Sequence, residues 1–239
     1  MQNARHIVVV MNGTARFAEE RKRSLREAQE QSLCTARSIV RAAAAAKVRH
    51  VTLCGEQVEL PSYPTGPGSP LGPSSPDRAP SAESAGRAQL AWLDRELVSP
   101  SEDLSVHLRL GQSGRRDIAR AVQKLAKAVQ AGHLDPTQLD ETLLRTSLVT
   151  ADLPDPDLII YTGCRAGEHF LRDELIFESA YAEFFFSDRL WPEFAPADFM
   201  HALSDFASRQ RRFGKTAEQL NASESTPSRY LVASSSIGT

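Results

Sequence analysis

Apolar residues form short runs that alternate along the chain with segments of helical periodicity. The runs span residues 6–11, 48–54, 104–110 and 157–161. The runs at 6–11, 48–54 and 157–161 are continuous and largely β-branched or aliphatic, which is typical of strands buried on both faces of a parallel sheet. The run at 104–110 instead alternates between apolar and polar residues, like a half-buried strand. Because helical segments follow these runs, the pattern predicts an α/β fold in which helices flank a mostly parallel central sheet.

Two segments carry the clearest helical pattern. Residues 16–47 are rich in Ala, Glu and Arg and are predicted to form one long helix. Residues 117–131 repeat apolar side chains every three or four positions, which predicts an amphipathic helix that ends near Gly132. A shorter helical pattern covers residues 85–97.

A proline-rich stretch interrupts the alternation of strands and helices. Residues 61–80 hold seven of the 14 prolines of the chain, and proline blocks the hydrogen bonds of helices and sheets. We therefore predict one domain over residues 1–215, interrupted by a Pro/Gly/Ser-rich loop at about 56–84, and a flexible tail over residues 216–239. The composition leaves open whether the loop is an insertion without function or a docking segment for a partner.

Composition and charge exclude several classes of protein. The 28 basic and 30 acidic residues give a net charge of −2, so the chain lacks the basic surplus that is typical of nucleic-acid-binding proteins. Its three cysteines lack a CxxC pair, which fits a reducing compartment better than a disulfide framework or a zinc site. No apolar run is long enough to span a membrane. We expect a cytoplasmic protein with at most peripheral membrane contact.

The turn after the first predicted strand has the composition of a phosphate-binding turn. Gly13 and the following helix start can present backbone N–H groups to phosphate oxygens. In parallel sheets, ligands bind beyond the carboxyl ends of the strands, so residues 12–16 and 162–169 are expected to face one crevice. Asn12 leads the turn with a neutral amide, which is a weaker ligand for Mg²⁺ than a carboxylate.

Four motifs in order along the chain resemble those of the cis-prenyltransferases, the family of undecaprenyl diphosphate synthase. HIVVVMNGTARFA at residues 6–18 resembles the opening H-x-x-x-x-M-D-G-N-G-R-W-A of that family. SGRRDI at residues 113–118 resembles G-G-R-x-D-I, AYAEFFFSDRLWPEF at residues 180–194 resembles the later core motif, and RFG at residues 212–214 resembles the C-terminal R-x-G. The resemblance implies the fold of this family and the condensation of isopentenyl diphosphate with an allylic diphosphate.

The resemblance also implies roles for individual residues. Asn12 stands where the family has the catalytic aspartate that binds Mg²⁺, and Glu183 matches a carboxylate that can hold Mg²⁺ near a dimer interface. Arg212 and Gly214 form the motif that reaches into a partner's site across the dimer. The aromatic run at 184–186, with Trp191, is predicted to lie in the core and dimer interface. The implied diphosphate-binding residues of the first turn are Gly13, Thr14, Ala15 and Arg16.

Several positions depart from the family pattern. Leu25 and Gln29 replace an arginine and a histidine near the diphosphate, and Tyr161 and Phe170 replace the two arginines of the isopentenyl diphosphate site. The side chains that can compensate are Arg165, His169 and Arg172. The segment that normally encloses a long hydrophobic tunnel is replaced by the proline-rich loop and one helix.

These losses favour a degenerate, non-catalytic subunit that completes the site of a catalytic homologue, with Mg²⁺ held only in the complex. Such a chain pairs with the homologue as a heterodimer, or with itself as a homodimer, and the sequence leaves both open. One alternative is an active prenyltransferase with altered chemistry that condenses or transfers short allylic diphosphates of C5–C15. Another is a scaffolding protein that binds no diphosphate.

Overall fold

The computed structural model describes residues 4–56, 93, 95–167 and 171–209. Five strands of these residues form one sheet in which all neighbours are parallel, in the order β3-β2-β1-β4-β5. The prediction of a parallel α/β sheet is confirmed. The strands are β1 (His6–Met11), β2 (His50–Gly55), β3 (Ser105–Leu110), β4 (Leu158–Tyr161) and β5 (Glu183–Phe186).

Five α-helices of the described residues accompany the sheet. The amphipathic helix predicted over 117–131 is present but begins three residues earlier, because the Ser113 side chain accepts a hydrogen bond from the Arg116 N–H and caps it. Three short 3₁₀ helices lie at Pro136–Gln138, Glu178–Tyr181 and Trp191–Glu193. The α-helices are α1 (Thr14–Glu20), α2 (Leu25–Ala45), α3 (Gly114–Gln130), α4 (Glu141–Ser147) and α5 (Pro196–Ser208).

The prediction of one helix over residues 16–47 is wrong, because α1 and α2 are separate helices. Lys22 adopts a left-handed conformation with φ of 51°, which ends the first helix. Ser24 then begins the second helix with a capping box, in which its side chain accepts from the Glu27 N–H and the Glu27 carboxylate accepts from the Ser24 N–H.

Hydrophobic cores lie on both faces of the sheet. The larger core contains Ile7, Val9 and Ile160 together with buried residues of α2 and α5. The smaller core contains Val8, Val10, Cys54, Ile159 and Tyr161. Because successive strand residues point to opposite faces, these two sets alternate along β1 and β4. The cores fix the strands in register and leave the carboxyl ends of all five at one edge.

The aromatic run at β5 contributes to both cores. Phe184 and Phe186 pack against the smaller core and Phe185 against the larger one, and all three are half-buried. Trp191 is completely buried. The prediction that these residues lie in the core is confirmed, and the predicted dimer role of the half-buried edge strand stays a prediction.

The described residues up to Ser208 belong to one compact unit. The predicted loop, apart from Glu56, and the predicted tail lie outside the described residues, so the domain boundaries stay predictions. Among the helices that the structure describes, none combines the length and the apolar character needed to cross a membrane.

Candidate functional site

The carboxyl ends of the five parallel strands lie at one edge of the sheet, which we call the crevice edge. Asn12 follows β1, Glu56 follows β2, Gly111 follows β3, Thr162 follows β4 and Ser187 follows β5. In open parallel sheets this edge is where ligands bind.

Hydrogen bonds join the ends of β1 and β4 at the centre of this edge. Thr162 donates its N–H to the Val10 carbonyl at 3.1 Å, and its Oγ1 accepts from the Asn12 N–H at 3.0 Å. The Asn12 carbonyl in turn accepts from the Trp191 N–H at 3.0 Å. The turn at residue 12 and the described part of the loop after Tyr161 therefore lie side by side, and their role in one ligand crevice stays a prediction.

Gly163 is the acceptor on which two predicted site residues converge. The Asn12 Nδ2 donates to its carbonyl oxygen at 3.2 Å, and Arg16 Nη2 donates to the same oxygen. The residue has φ of +63°, and a Cβ on it would lie 2.9 Å from Arg16 Nη2 and 3.1 Å from the Asn12 carbonyl carbon. Only glycine fits here, because the position combines a left-handed backbone with close neighbours.

The residues around Asn12 do not fit a divalent cation. A carbonyl oxygen accepts hydrogen bonds, so the side chain of Asn12 turns its NH₂ group toward Gly163. Among the described residues, no three His, Cys, Asp or Glu side chains are grouped to hold a metal ion. A Mg²⁺ site at Asn12 therefore has no support in the described part of the chain.

Glu183, the predicted metal ligand, lies at the opposite end of the sheet. It pairs with Leu158 at the start of β4, whereas Phe186 pairs with Tyr161 beside the crevice. Three residues of strand separate Glu183 from the carboxyl end, which corresponds to about 10 Å. Within one chain, Glu183 and Asn12 thus do not share a site, and the predicted role of Glu183 requires a second subunit.

The predicted phosphate turn contains the start of α1. Gly13 has φ of +111°, and a Cβ on it would lie 2.8 Å from Leu190 Cδ2. The Thr14 hydroxyl is buried against the hydroxyl of Ser32 at 2.8 Å, and Ala15 is exposed. The groups that this turn offers to a phosphate are the backbone N–H groups of the first helical turn and the remaining nitrogen atoms of Arg16.

Tyr161 places an aromatic side chain where the family pattern has an arginine. Its ring stacks on Phe186 with centroids 5.4 Å apart, and its hydroxyl accepts from the Arg172 N–H at 3.3 Å. Burial raises the pKa of Tyr161 to about 12. The position is therefore neutral and held in the smaller core. Of the other departures, Leu25 is exposed at the start of α2 and Gln29 is half-buried.

The predicted compensating arginines line different cavities. Arg165 and Arg189 line a cavity of about 380 Å³ beside β5 and α5. Arg172 lines a cavity of about 580 Å³ beyond β2 and β3, together with Arg116 and Glu174. Neither of these two cavities is lined by both Arg165 and Arg172. His169, Phe170, Arg212 and Gly214 lie outside the described residues.

Sequence reasoning missed Arg116 and Glu174 as crevice residues. Arg116 occupies the variable position of the SGRRDI motif, which is the only signal that singles it out. Burial raises the pKa of the Glu174 carboxyl group. Its Oε2 is buried without a hydrogen-bond partner among the described residues. A desolvated carboxyl group in a crevice is typical of functional sites.

The chain is similar in sequence to one protein family and to individual proteins of known name. Residues 88–214 match the family model described as "Putative undecaprenyl diphosphate synthase". The chain is 35% identical to the ditrans,polycis-undecaprenyl-diphosphate synthase, (2E,6E)-farnesyl-diphosphate specific, of Pseudomonas syringae pv. tomato, over 91% of this chain and 93% of that protein. It is 34% identical to an isoprenyl transferase of Brucella abortus, over 90% of this chain and 91% of that protein.

A solved structure shares the fold. The lavandulyl diphosphate synthase of Lavandula x intermedia, solved in complex with dimethylallyl diphosphate, superposes with a TM-score of 0.70 over 89% of this chain and 99% of that chain. The two sequences are 20% identical, so this likeness concerns the fold alone.

Proposed function

Because the chain belongs to the undecaprenyl diphosphate synthase family of cis-prenyltransferases, we propose that it acts in prenyl diphosphate synthesis as the non-catalytic subunit of a heteromeric enzyme. Its partner is a catalytic homologue that acts on allylic and isopentenyl diphosphates and supplies the Mg²⁺ site. This chain completes that partner's site through Arg212 and Gly214.

The bond between Asn12 and Gly163 is the observation that carries this proposal. The family aspartate would place a carboxylate where Asn12 now donates to a carbonyl oxygen at 3.2 Å. The surroundings suit an amide rather than a carboxylate, because the Gly163 carbonyl oxygen accepts hydrogen bonds from both the Asn12 and the Arg16 side chains. Departure of a diphosphate needs stabilisation of developing negative charge, and loss of one such donor typically slows a reaction by about 10²–10³-fold.

The aromatic cluster at Tyr161 supports the same proposal. A buried ring that stacks on Phe186 cannot replace the charge of an arginine toward a phosphate. Loss of a metal carboxylate together with cationic contacts leaves little of the standard reaction in this chain. What remains is the scaffold, including the half-buried aromatic edge strand β5 that is suited to a subunit interface.

One experiment tests this proposal directly. The purified chain, the catalytic homologue from the same genome and their mixture are assayed with Mg²⁺, isopentenyl diphosphate and dimethylallyl, geranyl or farnesyl diphosphate. We expect no turnover by the chain alone and stimulation in the mixture. Stimulation should disappear with Arg212→Ala but persist with Arg211→Ala, which removes the neighbouring charge as a matched control.

Turnover by the chain alone would contradict the non-catalytic role. It would favour the second candidate, an active prenyltransferase that condenses or transfers allylic diphosphates of C5–C15. The observation in favour of this candidate is that two basic residues, Arg116 and Arg172, line one cavity beyond β2 and β3.

A further inference from the structure

The solvent-exposed residues of α3 are either basic or uncharged. The basic ones are Arg115, Arg116, Arg120, Lys124 and Lys127, and the uncharged ones are Ala119, Val122, Gln123, Ala126 and Gln130. The acidic residue of this helix, Asp117, is buried and pairs with Arg109 at 2.5 Å. The exposed face of α3 is therefore positively charged, although the chain as a whole has a net charge of −2.

Four of the exposed cations form a line along the helix, which we call the basic row. Its members are Arg116, Arg120, Lys124 and Lys127. Successive residues of an α-helix are turned by about 100°, so these spacings place the four side chains within an arc of about 80° over a length of about 16 Å. The apolar residues Ile118, Leu125 and Val129 lie on the opposite side and are half-buried, and α3 packs against α4. The basic row thus faces solvent.

Ion pairs compensate little of the charge of the basic row. Arg115, which lies outside the row, is 3.7 Å from the Asp173 carboxylate. Arg116, at the start of the row, shares a cavity with Asp173 and Glu174, so its charge is partly offset. Among the residues that the structure describes, no carboxylate lies within ion-pair distance of the other three cations of the row. Their charge is available to an anionic partner.

The composition of this face distinguishes between kinds of anionic partner. Protein interfaces are enriched in aromatic residues and Met and depleted of Lys, whereas the exposed residues of α3 include two lysines and no aromatic residue or Met. Nucleic-acid-binding proteins usually carry a basic surplus, which this chain lacks. Four or more Lys and Arg residues on an amphipathic helix are instead typical of binding to anionic lipid headgroups.

The side of α3 next to the basic row also suits a lipid surface. Its exposed residues Ala119, Val122 and Ala126 have short side chains, and Val122 is 51% exposed. Long side chains therefore do not keep the helix away from a flat surface. A straight row of cations on a convex helix matches a plane of many headgroups better than a single small ligand, which requires a concave site.

We propose that α3 docks on the surface of anionic lipid bilayers through the basic row, with the helix axis parallel to the bilayer. The attraction is electrostatic, because the half-buried apolar side of the helix faces the protein and does not enter the bilayer. Arg116, at the start of the row, lines the cavity beyond β2 and β3, so docking brings the crevice edge near the lipid headgroups. Docking of this kind does not require the chain to be catalytic.

Sedimentation of the full chain with lipid vesicles tests this proposal. Vesicles of phosphatidylglycerol and phosphatidylcholine in equal amounts should bind the chain, and vesicles of phosphatidylcholine alone should not. Binding should fall at least about tenfold between about 0.1 M and about 1 M salt, because the Debye length shortens from about 10 Å to about 3 Å. Equal binding to both kinds of vesicle, binding to neither, or binding that salt does not weaken would overturn the proposal.

A double variant tests whether α3 is the docking surface. Arg120→Gln with Lys124→Gln removes two charges from the middle of the row and should weaken vesicle binding about twentyfold, since each basic residue near the lipid contributes about fivefold. Arg41→Gln with Lys47→Gln is the matched control, because it removes one exposed Arg and one exposed Lys near the end of α2. Its effect should stay within about twofold. Equal losses in both double variants would indicate general attraction and overturn docking through α3.

Two further measurements separate a bilayer from other anions. Arg120→Lys keeps the charge but loses the guanidinium fork, so vesicle binding should stay within about twofold. A loss as large as that of the double variant would indicate a specific phosphate site and contradict docking on a surface. Short duplex DNA at equal phosphate concentration should not displace the chain from the vesicles. Displacement by DNA would assign the basic row to nucleic acid instead.

Discussion

The side-chain amide of Asn12 donates to the carbonyl oxygen of Gly163 at 3.2 Å, across the junction between β1 and β4. The Arg16 guanidinium donates to the same oxygen. These bonds fix the turn that leads into α1 against the loop that follows Tyr161. The amide is thus a structural part of the crevice, and a return to aspartate would change more than one metal ligand.

We predict that Asn12→Asp destabilises the protein and does not restore catalysis. A carboxylate cannot donate to Gly163, so the substitution leaves two acceptors facing each other at a cost of about 1–3 kcal/mol. Urea unfolding at neutral pH measures this cost. It should shrink as the pH falls, because a protonated carboxyl group can donate again. A variant as stable as the wild type, or one that turns over allylic diphosphates alone, would contradict this prediction.

Gly163→Ala should prevent stable folding of the crevice. The new Cβ would meet Arg16 Nη2 at 2.9 Å and the Asn12 carbonyl group, at a φ of +63°. Gly111→Ala is a matched control, because Gly111 has φ of +62° and a Cβ there would meet no atom of the described residues within 4 Å. The control should cost about 1–2 kcal/mol for backbone strain alone. Thermal unfolding of both variants gives the comparison, and equal losses would show that the crowding at Gly163 is unimportant.

The sequence predicts four of the five strands because their signal is local, whereas β5, at the aromatic run, is not predicted as a strand. Continuous apolar runs such as residues 6–11 require burial on both faces, and the structure has a strand there with both cores around it. The common crevice also follows from topology, since parallel strands end at one edge. The S-x-x-E pattern of Ser24 and Glu27 indicates the start of a new helix and hence the break between α1 and α2. The residues on both sides favour helix, so the composition predicts one continuous helix instead.

The contacts inside the crevice could not be predicted in the same way. The bond between Asn12 and Gly163 joins residues 151 positions apart, and no periodicity encodes such a partner. The cavity with Arg116 and Arg172 likewise depends on how Asp173 holds its loop against α3. The sequence therefore shows which residues differ from the family pattern, whereas only the three-dimensional contacts show which interactions these residues make instead.

We predict that Asp117→Asn costs about 3–5 kcal/mol of unfolding free energy. Asp117 Oδ2 lies 2.5 Å from Arg109 Nη2, and both side chains are only 9% exposed, so the substitution leaves a buried charge without its partner. Chemical unfolding measures the loss. Replacing both residues, Arg109→Met with Asp117→Leu, should recover most of it. The exposed pair Arg26–Glu30 is the control, and Glu30→Gln should change stability by less than about 0.5 kcal/mol.

Acid should destabilise the protein through His6. Its Nδ1 lies 2.6 Å from the Pro154 carbonyl oxygen and its Nε2 lies 2.8 Å from Thr52 Oγ1, and burial lowers its pKa from 6.5 to about 4. The folded state binds fewer protons than the unfolded state, so the stability from neutral His6 is complete above pH 6.5 and is lost as the pH falls toward 4, by about 3 kcal/mol. Urea unfolding across this range measures the loss. His6→Gln should reduce the pH dependence and leave the part due to His50 and His107, whose pKa values burial also lowers, whereas His133→Gln, at an exposed position, should leave it unchanged. A pH dependence of undiminished size in His6→Gln would assign the acid sensitivity to other groups.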